Sequence, residues 1–216
     1  MRKLKTTGLA LVAAFVISAV GASVASAEHQ FHSNAPSGET RIEGLQSTIN
    51  VFGTEAGEVE CQEAEFAGGQ LGGTAWWMSV EPVYAECIAF GLWAEVDTST
   101  CSYDLAANWF PVSIDCGFMD VITVTVMPGF HGPGEPFCEI TIGDQETEGE
   151  ITYKNHAGPP KHITVSADAT DIDYTVYGGE GFCGLEGTHT DGTYTGDFTL
   201  KGFDWNSQIQ VDLRYE

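Results

Sequence analysis

The sequence predicts an all-β protein: an antiparallel β-sandwich, divided into two packed sandwich units and stapled by disulfides. Short runs with alternating apolar and polar residues recur roughly every ten residues, with Gly, Pro, Asp and Asn between them. No run with a helical period follows residue 27. The cysteines, which number 6, all lie after that residue.

A hairpin predicted within Thr100 to Gly117 is the clearest element of the chain. Side chains two residues apart in an extended run share a face, and both runs of this segment are apolar on one face. Folding the runs back on each other pairs Leu105 with Val112, Tyr103 with Ile114 and Cys101 with Cys116. The sequence therefore predicts a hairpin with one apolar face, closed by a disulfide.

The other predicted strands follow the same pattern on both sides of the hairpin. Those before it are 48–53, 58–61, 74–80 and 87–96, the last with a break near Gly91. Those after it are 122–126, 138–142, 149–154, 163–167, 171–177, 194–200 and 208–215. Strict alternation in the last two indicates antiparallel strands with one buried face.

About fourteen short strands are too many for one immunoglobulin-size sandwich. We therefore predict a first unit at 48–118 and a second at 119–216, with one large sandwich or jelly roll as the alternative. The polar segment 28–47, interrupted by Pro36 and Gly38, is predicted to be loosely held.

The first 27 residues have the layout of a secretory signal peptide. Basic residues near the start precede an apolar stretch from Leu9 to Val24, and Ala25-Ser26-Ala27 forms an A-x-A cleavage site. The stretch is short for a membrane span and is followed at once by small residues. We expect a secreted protein that begins at Glu28 and has no membrane span after cleavage.

The expected mature chain is strongly acidic. All 31 acidic residues follow position 27, but only five of the 8 basic residues do, so the formal net charge is −26. Such a surface repels phosphate backbones, because sequence-independent affinity for nucleic acid comes from Lys and Arg. Nucleic-acid binding is therefore excluded first.

The even number of cysteines in an oxidising compartment indicates disulfides. We predict that neighbours in order are paired: Cys61 with Cys87, Cys101 with Cys116, and Cys138 with Cys183. Only the middle pair follows from a strand pattern, and the connectivity of the other four cysteines is otherwise open.

Four short motifs carry a resemblance to known sequences. They are CIAFG at 87–91, CSY at 101–103, GEITYKN at 149–155 and GTYTGDFTLKG at 192–202. Together they resemble a group of uncharacterised secreted actinobacterial proteins. The resemblance implies secretion and a β fold, and it implies no activity, cofactor or binding residue.

Motifs for nucleophilic, zinc-protease or P-loop chemistry do not occur in the sequence. A glycosidase needs only two facing carboxylates and no local motif. A secreted polysaccharide hydrolase is therefore the alternative to a non-catalytic role.

Acidic residues near strand starts provide weak candidates for a calcium site. Asp168, Asp171 and Asp173 lie close together, and glutamates alternate at positions 146, 148 and 150. Neither group has the DxDxDG turn that folds oxygen ligands around one Ca²⁺ ion. A solvated strand face that blocks edge-to-edge pairing explains both groups equally well, and a passive, calcium-associated matrix protein is a further alternative.

Three tryptophans are predicted on polar faces or in a loop. Strand parity places Trp77 with Ser79 and Glu81, on the face opposite Trp76, Met78 and Val80. Parity also places Trp93 on a polar face, and Trp109 falls in the hairpin loop. Exposed aromatic rings on a rigid β scaffold suit recognition of carbohydrate or of a protein partner. The sequence thus favours a secreted, non-catalytic binding or structural protein, although packing under loops would also explain these rings.

Overall fold

A computed structural model describes residues 29–107, 112–128, 136–178 and 181–216. Within these ranges the chain is all-β and no helix is long and apolar enough to cross a membrane. The predicted signal peptide and Trp109 lie outside the described residues.

The strands of the first half of the chain include two unusually long ones, β4 and β6. In chain order they are β1 (Phe31–Ser33), β2 (Glu39–Gln46), β3 (Asn50–Thr54), β4 (Gly57–Leu71), β5 (Thr74–Ala75), β6 (Trp77–Ala89), β7 (Leu92–Asp97), β8 (Cys101–Ala106) and β9 (Ser113–Cys116).

The second half contains the two longest strands, β14 and β15. The strands here are β10 (Ile122–Val126), β11 (Cys138–Ile142), β12 (Gln145–Glu146), β13 (Glu148–His156), β14 (His162–Gly178), β15 (Gly187–Asp204), β16 (Gln210–Val211) and β17 (Leu213–Tyr215).

Every pairing between these strands is antiparallel, and most strands belong to one large, sandwich-like sheet. At one end of the molecule, β3 pairs with both β4 and β15, so that β3, β4, β6, β7, β10, β11, β14 and β15 form a closed circuit. At the other end, β2 takes the place of β3 between β4 and β15. A small sheet of β17, β1 and β5 covers that end.

Two clusters of buried side chains fill the interior, one toward each end. The closed end is packed by residues such as Val59, Val126 and Ile140, and the other end by residues such as Phe66 and Phe198. The rings of Phe66 and Phe198 stack with centroids 4.2 Å apart. Tyr84 and Tyr103 pack against both clusters, so the core is continuous along the molecule.

The two predicted units share one sheet. Val96 on β7 pairs with Val124 on β10, and Phe52 on β3 pairs with Tyr194 on β15. The boundary at 118/119 is therefore not a break in the hydrogen bonding. Alternation along a strand predicts which face is buried, but it does not say which strand lies beside it.

The segment 28–47 was predicted to be loosely held, and that prediction is wrong for its described part. Phe31 and Ile42 are fully buried, on β1 and β2 respectively. Phe31 pairs with Tyr215 near the end of the chain. The sequence does not predict this strand, because the residues on both sides of Phe31 are polar. A similar correction applies to 163–167 and 171–177, which form the single strand β14 with an irregularity at Asp171.

The predicted hairpin is present with the expected register, Cys101 opposite Cys116 and Tyr103 opposite Ile114. Gly91 lies in the turn between β6 and β7, where its positive φ of 81° suits glycine. The three disulfides join the same neighbours that the sequence predicts: Cys61–Cys87, Cys101–Cys116 and Cys138–Cys183.

Candidate functional site

An apolar groove lies on the outer face of the sheet, where β6, β4 and β2 meet the end of β15. Its walls are formed by Leu71, Trp76, Trp77 and Trp205, and it encloses about 550 Å³. Trp77 is 60% exposed and Trp205 is 52% exposed. We call this site the tryptophan groove.

The register of four neighbouring strands builds the tryptophan groove. Gly69 on β4 lies opposite Ser79 on β6, and Leu71 on β4 lies opposite Glu39 on β2. The backbone N–H of Trp205 donates to the carbonyl oxygen of Glu39 over 3.1 Å, which places Trp205 beside β2. Because Gly69 and Ser79 are small, the floor between the larger side chains stays open.

Trp76 contributes to the groove although strand parity placed it on the face of Met78 and Val80. It is 42% exposed, because β5 ends at Ala75 and β6 begins at Trp77. Alternation does not continue across this break between strands. The backbone carbonyl of Trp76 still accepts a hydrogen bond of 2.8 Å from the N–H of Ala107.

Asp204 holds the turn that carries Trp205. Its Oδ1 accepts from the backbone N–H of Ser37 at 2.8 Å, and its Oδ2 accepts from the N–H and the hydroxyl of Ser207 at 2.9 and 2.8 Å. Hydrogen bonds from Ser37 and then Ser207 lower the pKa of the Asp204 carboxyl well below its usual value. The Asp204 carboxylate therefore ties the N-terminal segment to the turn beside the groove.

Gln70 lines the groove from its inner side and is almost completely buried, with 2% of its surface exposed. Its Nε2 donates to the carbonyl oxygens of Phe31 and Gly72 at 3.4 and 3.3 Å, which fixes the orientation of the amide. The Oε1 has no hydrogen-bond partner among the described residues. This oxygen is itself buried, because Gln70 projects from β4 to the face opposite the exposed residues Gly69 and Leu71.

The structure brings together a different set of tryptophans from the predicted one. Trp93 is half-buried on β7, opposite Ile88 near the far end of β6. At about 3.3 Å per residue, Ile88 lies on the order of 35 Å along β6 from Trp77. The structure therefore does not place Trp93 in the tryptophan groove, and Trp205, which the parity argument missed because it lies in a turn, is part of it.

A second, polar groove of about 360 Å³ lies on the outer face of β13, β14 and β15. Its lining includes the carboxylates of Glu150, Asp168 and Asp197, and Glu150 pairs directly with Asp168 across the strands. The other two aspartates of the predicted calcium site, Asp171 and Asp173, do not line it. Among the described residues, no three His, Cys, Asp or Glu side chains are grouped to hold a metal ion.

Comparison with known proteins adds no relative: no protein family, curated protein or solved structure matches this chain.

Proposed function

We propose that this chain is a secreted, non-catalytic binding protein of the extracellular space or cell envelope, and that its tryptophan groove holds carbohydrate. The observation that carries the proposal is the convergence of three exposed indole rings and Leu71 around one concave surface. Large exposed apolar area is costly for a soluble protein and marks contact sites when it is contiguous.

The chemistry of the groove suits sugars. A pyranose ring presents an apolar C–H face that packs on an indole, while its hydroxyls need polar partners at the rim. Ser79 and Glu39 line the groove and supply a hydroxyl and a carboxylate. Because paired strands carry these groups, little conformational entropy is lost on binding.

Secretion is supported by two features. The N-terminal layout of the sequence is that of a signal peptide. Three disulfides, with no free cysteine among the described residues, fit an oxidising compartment such as the extracellular space.

Co-sedimentation with insoluble cell-wall and plant polysaccharides tests the proposal. We expect the purified mature protein to sediment with at least one of them and the Trp77→Ala variant to remain in solution. Phe118→Ala is the matched control, because Phe118 is 95% exposed and does not line the groove. If the wild type stays in solution with every polysaccharide, the proposal is wrong. It is also wrong if the Trp77→Ala variant sediments to the same extent as the wild type.

The polar groove favours a second candidate function, hydrolysis of polysaccharide by a carboxylate pair. Side chains directly opposite on antiparallel strands have Cβ atoms about 5 Å apart, as Glu150 and Asp168 do by register. A retaining glycosidase needs carboxyl groups about 5 Å apart. Release of reducing ends that disappears in Asp168→Asn would support this candidate, and a wild type that releases none would remove it.

A further inference from the structure

The two outermost indoles of the tryptophan groove are separated across the strands and not along one of them. Trp77 lies on β6, and Trp205 lies beside β2 at the end of β15, with β4 and β2 between them. Neighbouring strands are spaced about 4.8 Å apart, so three intervals separate the two backbones by about 14 Å. That distance exceeds the length of a single sugar ring.

The surface between the two indoles carries Leu71 on β4 and Glu39 on β2, which lie opposite each other. Leu71, which is 80% exposed, projects from β4 between Trp77 and Trp205, and Gly69 keeps the floor low beside it. Glu39 and Ser79 supply polar groups along this track. A ligand that covers the track needs repeated apolar faces and hydroxyls that can donate to the carboxylate of Glu39.

The charge of the surroundings selects among polysaccharides. Glu39 lines the groove, and the nearby guanidinium of Arg41 is already paired with Glu43 at 2.7 Å. With a net charge of −26 on the expected mature chain, a uronic-acid or sulfated chain is repelled. A cationic chain would be attracted to the whole acidic surface, and that attraction would fall steeply with salt.

From these observations we infer that the tryptophan groove binds a linear, neutral polysaccharide that runs across the strands, with roughly three consecutive sugar units between Trp77 and Trp205. The inference rests on the proposed function and adds the class of ligand, its direction and its length. Trp77 and Trp205 act as stacking platforms at the two ends, and Leu71 supports the units between them.

Titration with soluble neutral oligosaccharides tests the inference. The probes are the glucose, xylose, mannose and N-acetylglucosamine β-1,4 series, each from disaccharide to hexasaccharide, followed by intrinsic fluorescence and calorimetry. For at least one series we expect the wild-type affinity to rise about tenfold or more between disaccharide and tetrasaccharide, then level off. Trp205→Ala should remove this rise, Trp77→Ala should weaken binding at every length, and Phe118→Ala should bind as the wild type does.

Several outcomes would overturn the inference. If the protein sediments with a polysaccharide through Trp77 but its affinity does not depend on oligosaccharide length, the proposed function stands and the extended site is wrong. If only a cationic chain such as chitosan binds, and about 0.5 M salt removes it, the ligand class is wrong. Thermal melts of each variant show whether a loss of binding reflects a loss of folding. The Trp205→Phe variant keeps an aromatic ring for stacking, so its affinity should still depend on oligosaccharide length.

Discussion

Three tyrosine hydroxyls meet in the interior, and the substitution Tyr84→Phe tests whether they stabilise the fold. The hydroxyl of Tyr84 lies 3.0 Å from that of Tyr103 and donates to that of Tyr194 over 3.3 Å. Tyr194 in turn donates to Oδ1 of the buried Asn50. The network therefore connects β6, β8, β15 and β3 inside an apolar core.

Replacing Tyr84 by Phe keeps the ring and removes the central hydroxyl. Tyr194 retains Asn50 as a partner, but the Tyr103 hydroxyl loses its hydrogen bond with Tyr84. Leaving a buried polar group without its partner costs about 1–3 kcal/mol. We therefore expect the free energy of unfolding to fall by about 2 kcal/mol.

Equilibrium denaturation in guanidinium chloride, with the disulfides intact, measures this change. Tyr177→Phe is the control, because Tyr177 is 55% exposed and the substitution should leave the midpoint unchanged. Combining Tyr84→Phe with Tyr103→Phe removes both partners, so the double variant should lose less than the sum of the two single losses. A Tyr84→Phe loss below about 0.5 kcal/mol, or strict additivity in the double variant, would refute the reasoning.

Two further predictions concern the disulfides and the Asp204 turn. Replacing Cys138 and Cys183 by Ser should lower the free energy of unfolding by about 4 kcal/mol, against about 3 kcal/mol for Cys101 and Cys116, because the sequence separations are 45 and 15 residues; denaturant titrations in which the two losses come out in the reverse order would contradict this. Asp204 has a lowered pKa in the folded state, so its stabilising contribution is present above the usual value of 3.8 and is lost as the pH falls below it. Thermal melts from pH 7 to pH 2 should therefore show a smaller fall in melting temperature for Asp204→Asn than for the wild type. If the melting temperatures of both proteins fall equally with pH, this carboxylate does not have the proposed role.

The sequence was most informative where a feature is local. The hairpin of β8 and β9 could be predicted with its register, because alternating apolar residues and two cysteines all fall within 16 positions from Cys101 to Cys116. Trp77 could be placed on an outer face because exposed and buried residues alternate along β6 from Trp77 onward. The exposure of Trp76 could not be predicted, because the pattern of apolar residues does not indicate the break between β5 and β6.

The groove itself depends on contacts between distant parts of the sequence. Leu71 and Trp77 are close in the chain, but Glu39 and Trp205 come from opposite ends of it. Nothing in the periodicity of any one strand specifies that β2 lies between β4 and β15. The pairings of β7 with β10 and of β3 with β15, which cross the predicted boundary at 118/119, are likewise long-range.

The N-terminal segment gives the tryptophan groove its width. At the closed end of the sheet, β3 lies between β4 and β15, and at the groove β2 occupies that position and carries Glu39 beside Trp205. The buried side chain of Ile42 and the Ser37 hydrogen bond to Asp204 hold β2 in place from both sides. If β2 were absent, one strand interval of about 4.8 Å would be lost between the two indoles. A segment whose composition resembles a loose terminus therefore sets the spacing on which recognition of an extended sugar chain would depend.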